Sequence, residues 1–121
     1  MPGTPSRSLA RHADQVLYYA CAVDEWYPWK WTSSLVATQA FVSCTDNVEN
    51  VHGTIYVFRS RYDYLIGAAY YYGGWAGTMF FASGSCASST WQYNAKLSYT
   101  IGTPSGEFEF DDDWGPSWIS C

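Results

Sequence analysis

The chain has 121 residues, a length typical of one compact domain and too short for a catalytic domain joined to a regulatory one. Aromatic residues make up 20% of it and charged residues only 14%, so large side chains must both fill the interior and lie on the surface. The formal net charge of -5, with no cluster of Lys or Arg, argues against nucleic-acid binding. No stretch approaches the roughly 18 apolar residues of a membrane span.

The N-terminal region differs in composition from the rest of the chain. Residues 1–14 are turn-forming and charged and show no periodicity, so we expect a flexible or extended arm. A single domain is predicted over residues 15–121. Residues 1–12 contain no apolar signal-peptide core, so we expect the chain to be a mature or re-started form of an exported protein.

The predicted strands are short apolar segments bounded by turn residues. Residues 16–21 (VLYYAC) form the first of them, and a Trp-rich loop over residues 23–31 (VDEWYPWKW) follows because Pro28 interrupts strand pairing. A glycine at position 67 predicts a bulge or a close backbone approach within its strand. The remaining predicted strands are residues 34–43, 54–59, 62–72, 78–82, 91–101 and 107–110, with an extended segment at 114–121.

Residues 91–101 (WQYNAKLSYTI) alternate without interruption between apolar and polar side chains. A period of two is typical of a half-buried strand, and its length fixes the register, because a slip of one residue would expose the whole apolar side. The side predicted to face the core consists of Trp91, Tyr93, Ala95, Leu97, Tyr99 and Ile101. With about seven such strands and no helical pattern longer than a turn, the sequence predicts an all-β, antiparallel, immunoglobulin-like β-sandwich.

The four cysteines are widely spaced and form no CxxC pair, which favours two disulfides in an oxidising compartment over a zinc site. A cytoplasmic protein with four reduced thiols is the alternative. If consecutive strands run antiparallel, Cys86 and Cys121 lie at one end of the sandwich and Cys44 at the other. This favours the pairs Cys86–Cys121 and Cys21–Cys44, and a bridge between Cys44 and Cys86 is the main rival.

Four short segments carry a resemblance: AFVSC at 40–44, TIYVFR at 54–59, STWQYNAKL at 89–97 and ISC at 119–121. Over about residues 35–121 the chain resembles small exported four-cysteine β-sandwich proteins of Gram-positive soil bacteria. The resemblance implies secretion and binding, including roles as adaptors in secreted toxin-like assemblies, and it implies no particular ligand.

The YNA run at 93–95 is similar to the penultimate strand of immunoglobulin-like domains. Tyr93 stands where a corner tyrosine would hydrogen-bond back to the chain. Ala95 stands where a true immunoglobulin domain has its second cysteine, which is a departure from that pattern.

The sequence contains no strong motif of a catalytic or metal site. The two histidines, His12 in the arm and His52 in a predicted loop, have no nucleophile motif beside them, although His52 could act with Asp46 or Glu49. One face of a predicted strand carries alternating acids, Glu107, Glu109, Asp111 and Asp113, and the other face carries Phe108, Phe110 and Asp112. We expect the acids to form a solvated strand face rather than the carboxylate pair of a glycosidase. Asp111 and Asp113 are also weak calcium candidates, without an EF-hand pattern. We therefore expect no enzyme activity, no metal and no cofactor.

Two aromatic clusters are the candidate binding residues: Trp26, Tyr27, Trp29 and Trp31 around Pro28, and Tyr70, Tyr71, Tyr72 and Trp75 beside a double glycine. Neighbouring side chains must diverge, so about half of each run is expected to pack inward and the rest to be exposed. The first hypothesis is a non-enzymatic secreted module that binds another secreted protein through its arm and aromatic surface. The second is a carbohydrate- or cell-wall-binding module that uses the exposed Trp and Tyr rings.

Overall fold

The computed structural model describes residues 21–44, 48–60, 63–74 and 77–121, and the backbone of residues 5–10. Eight strands are described: β1 (Pro5–Ala10), β2 (Cys21–Lys30), β3 (Leu35–Cys44), β4 (Asn50–Arg59), β5 (Tyr64–Gly74), β6 (Thr78–Ser85), β7 (Thr90–Thr103) and β8 (Gly106–Ser120). All pairings between them are antiparallel. No helix occurs among these residues, so none of them forms one capable of crossing a membrane.

The strands form two sheets that pack face to face. Sheet I has the order β1-β2-β3-β6, and sheet II has the order β5-β4-β7-β8. The chain changes sheet after β3, β5 and β6, so the pairs β3–β6 and β4–β7 join strands that are not consecutive in sequence. This Greek-key crossing is typical of immunoglobulin-like sandwiches, and the predicted fold class is confirmed.

The core is built from alternate residues of both sheets. Val51, Ile55 and Val57 of β4 are fully buried, and the intervening side chains face outward. In β7, Tyr93, Ala95, Leu97, Tyr99 and Ile101 are buried as predicted. Trp91 is not: it is the second residue of β7, at the end of the sandwich, and 41% of its surface is exposed.

The segment predicted to be a Trp-rich loop is strand β2, so the loop prediction is wrong. The register of β2 against β3 shifts between Trp26 and Trp29, which places Tyr27 and Pro28 in a bulge. A proline in a bulge has no ladder hydrogen bond to lose, so the strand continues through it. Of the first predicted strand, residues 16–20 lie outside the described residues and Cys21 opens β2.

Several other strands are longer than predicted. β4 begins at Asn50 and includes His52, which corrects the loop assigned to that histidine. The predicted strand at 107–110 and the extended segment at 114–121 belong to one strand, β8, with a register shift between Tyr93 and Ala95 of its partner β7. Polar outward positions and a bulge conceal this continuity in the sequence. Within the predicted arm, residues 5–10 form β1, which pairs with β2 at the edge of sheet I.

A disulfide lies at each end of the sandwich, in the predicted pairing. Cys21–Cys44 joins directly opposed residues of β2 and β3 within sheet I. Cys86–Cys121 joins the segment after β6 to the residue after β8 and so connects the two sheets. Closing loops with sequence separations of 23 and 35 residues contributes about 3 to 4 kcal/mol each in the chain-entropy model. We refer to the two ends as the Cys21 end and the Cys86 end.

The two sheets approach most closely along the β5–β6 side. A Cβ atom on Gly67 would lie 1.9 Å from the carbonyl oxygen of Ser83, and one on Gly84 would lie 2.2 Å from that of Ile66. The β4–β5 register also shifts beside Gly67, between Val57 and Phe58. Both features predicted for Gly67, a bulge and a close backbone approach, are confirmed, and only glycine allows this contact.

Tyr93 makes the hydrogen bond expected of a corner tyrosine. Its side chain is fully buried, and its hydroxyl accepts a hydrogen bond from the backbone N–H of Ala87 at 2.9 Å. The same hydroxyl lies 3.6 Å from Sγ of Cys86. Tyr93 therefore fixes the segment that carries the inter-sheet disulfide.

Candidate binding surfaces

The outer face of sheet II carries a row of aromatic side chains along β4 and β5. His52 is paired with Tyr72 across the two strands and stacks on it, with ring centroids 5.2 Å apart and planes inclined by 13°. Tyr70 lies 6.3 Å from the same imidazole. Nδ1 of His52 is hydrogen-bonded to Oδ1 of Asn50 at 2.9 Å, which fixes the ring. We call His52, Tyr56, Phe58, Tyr70 and Tyr72 the aromatic row.

The two β5 tyrosines of the aromatic row are exposed, its other members are half-buried, and contacts within the row order the rings. Tyr70 is 62% exposed and Tyr72 is 64% exposed, although both belong to a regular strand. Further along β4, Tyr56 and Phe58 stack with centroids 6.0 Å apart. Alternation explains the arrangement, because every second residue of a strand in a two-layered fold must face away from the core.

An acidic row runs parallel to the aromatic row on the same face. In β8, Glu107, Glu109, Asp111 and Asp113 face outward, as the alternation predicted. Strand β7 lies between the rows, and the Ser98 hydroxyl donates a hydrogen bond to Oδ1 of Asp111. Two interstrand spacings separate β4 from β8 and three separate β5 from β8. The acidic row is therefore about 10 Å from the rings of β4 and about 14 Å from Tyr70 and Tyr72. The outer face of sheet II therefore combines an apolar strip with a negatively charged one.

The first predicted cluster lies on the opposite side of the molecule, on the outer face of sheet I. Trp31 and Trp29 contact Phe81 of β6 edge-on, with ring centroids 5.0 Å and 6.3 Å apart. Trp31 is 49% exposed and Tyr27 is 38% exposed. Trp26 is half-buried, and its carbonyl accepts hydrogen bonds from the Trp114 indole and the Thr38 hydroxyl. The two predicted clusters therefore cannot form one site.

The second predicted cluster divides between the two sides of β5. Tyr70 and Tyr72 face outward, whereas Tyr71 points inward, donates a hydrogen bond to the carbonyl of Phe81 at 2.7 Å and contacts the Phe80 ring edge-on. Tyr71 thus connects the two sheets and is not available as a docking residue. Trp75 lies outside the described residues.

A pair of carboxyl groups lies between the sheets on the β2–β8 side. Glu25 of β2 is 4% exposed, and its side chain is hydrogen-bonded to that of Asp112 in β8. Burial, followed by the charge of Asp112 and their hydrogen bond, raises the pKa of Glu25 from 4.5 to about 8. Burial also raises the pKa of Asp112 and, together with the two acids, that of the Tyr99 hydroxyl. Glu25 is therefore mostly protonated at neutral pH.

The carboxyl pair is enclosed in the sandwich rather than presented in a cleft, which favours a structural role over general acid–base catalysis. Sequence alone placed Asp112 on the inward side of its strand but assigned Glu25 to a loop, so the partner was missed. The one available signal was an acid at a core register position between Phe110 and Trp114.

The calcium candidates Asp111 and Asp113 share one exposed face of β8. Within the described ranges, no group of three or more His, Cys, Asp or Glu side chains converges in a way that could hold a metal ion. Of the acids proposed to act with His52, Asp46 lies outside those ranges, and the imidazole instead contacts Asn50, Tyr70 and Tyr72.

A pocket of about 470 Å³ opens at the Cys86 end. The β4–β5 turn, the start of β7 and the end of β8 form it, and its lining includes Ser60, Asp63, Ser89, Trp91, Gln92 and Trp118. Sequence analysis missed this pocket because it assigned Trp91 to the core and gave Trp118 no role. Its residues lie far apart in the chain, and only the fold brings them together.

Comparison with known proteins does not assign the chain to a family: no family model matches it, and no curated protein matches it.

Proposed function

We propose that this protein is a non-enzymatic interaction module of an exported assembly, an adaptor that binds another protein through the outer face of sheet II. The observation that carries the proposal is the exposure of Tyr70 and Tyr72, at 62% and 64%, in a regular strand that fixes their positions. Rigid exposed tyrosines provide large contact areas at little cost in conformational entropy, and they are enriched at the centres of protein interfaces.

The acidic row indicates the chemistry of the partner. Its four carboxylates lie about 10 to 14 Å from the aromatic row, two to three interstrand spacings away, and the whole chain carries a net charge of -5. A complementary surface would place an apolar strip beside basic side chains. Charge pairs at the rim of such an interface mainly raise the association rate and make it sensitive to salt.

The two disulfides support an exported setting. Disulfides persist in oxidising compartments and are rare in the cytosol. Cys21–Cys44 and Cys86–Cys121 account for all four cysteines of the chain, so the fold depends on conditions that keep them oxidised.

The experiment is capture of partners from the culture supernatant of the producing cells, with the oxidised protein as bait and mass spectrometry as the readout. The double variant Tyr70→Ser/Tyr72→Ser should lose the partner, with affinity reduced about tenfold or more. Met79→Ser is the matched control, because Met79 is 46% exposed on the outer face of sheet I. Equal capture by both variants would refute docking through sheet II.

The N-terminal arm is a second contact proposed for the same assembly. Strand β1 is a six-residue edge strand on β2, and an edge strand is the place where a partner can add a strand of its own. Deleting residues 1–14 should alter the affinity for the captured partner. An unchanged dissociation constant would remove the arm from the mechanism and leave the aromatic row as the docking surface.

A further inference from the structure

The pocket at the Cys86 end has two indole rings among its walls. Trp118 is 68% exposed and Trp91 is 41% exposed, and neither belongs to the aromatic row on sheet II. Indole rings exposed at a pocket wall are costly to leave in water, and they provide flat apolar surfaces for a ligand. The pocket is therefore a separate feature from the protein-docking face.

Trp91 is held in place before any ligand arrives. Its Nε1 donates a hydrogen bond to the Ser89 hydroxyl at 2.9 Å. The guanidinium carbon of Arg59 lies 5.5 Å from the centroid of the Trp91 ring and 4.7 Å from that of Tyr64. The cation–π contacts of Arg59 with both rings fix the Trp91 indole, so the binding of a ligand requires little further ordering of this side chain.

The polar residues Ser60 and Asp63 in the pocket lining have hydrogen-bonded backbones. The Ser60 N–H donates to the carbonyl of Gln92 at 2.8 Å, and the Asp63 N–H donates to the carbonyl of Ser60 at 3.0 Å. Ser60 has a φ of 60°, a conformation that residues other than glycine rarely adopt. Such strained residues cluster at ligand sites. Ser60 and Asp63 at the β4–β5 connection thus line the same cavity as Gln92 of β7.

We propose that this pocket binds a neutral pyranose ring of a glycan. A pyranose has an apolar face of C–H bonds, which stacks on an indole, and a rim of hydroxyl groups, which bind carboxylate and amide groups. Trp118 and Trp91 supply the stacking surface, and Asp63 and Gln92 supply the hydrogen-bonding groups. A volume of about 470 Å³ is in the range of small-molecule sites.

The charges favour a neutral sugar over an acidic one. Asp63 contributes a carboxylate to the pocket, and the chain as a whole is negatively charged. The one cation beside the pocket, among the described residues, is the Arg59 guanidinium, which lies against Tyr64 and Trp91. A uronic acid or a sulfated sugar would therefore be repelled at the position of Asp63.

Isothermal titration calorimetry with cellohexaose, maltohexaose, mannohexaose and chitohexaose tests the proposal. At least one of these probes should bind at millimolar concentrations or below. Trp118→Ala should weaken that binding about tenfold, and Asp63→Asn should weaken it by a similar factor. Tyr72→Ala is the matched control, because Tyr72 is equally exposed but lies towards the Cys21 end, and it should bind as the parent chain does.

Two results would overturn the proposal: no heat of binding with any of the four hexasaccharides, or equal affinity in the parent chain and in Trp118→Ala. Because Trp118 is exposed, we expect Trp118→Ala to fold, and near-ultraviolet circular dichroism is the check of its folding. The outcome is independent of the docking proposal, because Trp118→Ala leaves the aromatic row intact and Tyr70→Ser/Tyr72→Ser leaves the pocket intact. Each hypothesis can therefore fail without the other.

Discussion

Replacing Glu25 with glutamine should change how the stability of the protein depends on pH. Glu25 lies between the sheets, hydrogen-bonded to Asp112, with Tyr99 of β7 and the acids Asp24 and Asp113 around it. A carboxyl group whose pKa is higher in the folded state than in the unfolded state stabilises the fold while it is protonated. That contribution is complete below pH 4.5 and is lost as the pH rises through about 8.

The magnitude follows from the two pKa values. A rise from 4.5 to about 8 corresponds to a loss of about 5 kcal/mol in the free energy of unfolding at alkaline pH, at 1.36 kcal/mol for each tenfold change in proton affinity. Small domains have total stabilities of roughly 5–15 kcal/mol, so the loss is a large part of the whole. The uncharged amide of Glu25→Gln does not titrate and can donate a hydrogen bond to Asp112.

Urea unfolding followed by tryptophan fluorescence at pH 5, 7 and 9, with the disulfides oxidised, measures this effect. The parent chain should lose stability by several kcal/mol between pH 5 and 9, whereas Glu25→Gln should lose clearly less, because only Asp112 of the pair still titrates, and should be the more stable protein at pH 9. Glu109→Gln is the matched control, because Glu109 is an exposed acid of β8 and its removal should leave the profile of the parent chain unchanged. A decline in Glu25→Gln as large as in the parent chain would falsify the reasoning.

Two further substitutions test packing. Gly67→Ala should lower the free energy of unfolding by roughly 1–3 kcal/mol in urea titrations, because its Cβ would meet a backbone atom 1.9 Å away. Gly74→Ala is the control and should change the free energy little, because there is open space at its Cβ. Equal effects of the two substitutions would contradict the close approach. Tyr93→Phe should lower the same quantity by about 1–2 kcal/mol, because it leaves the partly buried N–H of Ala87 without this partner. An unchanged urea midpoint would show that the hydrogen bond contributes nothing.

Local patterns in the sequence were sufficient to predict the fold. Strict alternation predicted the buried side of β7 except at its end, and antiparallel hairpins predicted which cysteines share an end of the sandwich. The error at β2 arose from Pro28, since the rule that proline interrupts a strand does not hold where a bulge removes the need for its N–H. A bulge depends on the partner strand, which the local sequence does not reveal.

The surface features were less predictable than the fold. Composition indicated that aromatic residues must be exposed, but the direction of each ring depends on register, and Tyr71 turned inward between two outward tyrosines. Glu25 and Asp112 are 87 positions apart in the sequence, and Trp118 and Asp63 are 55 apart. Pairings over such distances follow from the sheet order, so they become visible only when the topology is known.

The contact of Gly67 and Gly84 with the opposite backbone makes the two lateral seams of the sandwich unequal. The β5–β6 seam is closed by main chain on main chain and by the hydrogen bond from the Tyr71 hydroxyl to the carbonyl of Phe81, whereas the β2–β8 seam is closed around the carboxyl pair of Glu25 and Asp112. We therefore expect alkaline loosening to be one-sided: hydrogen–deuterium exchange above pH 8 should accelerate first in β2 and β8, while the amides of β5 and β6 stay protected until the whole molecule unfolds.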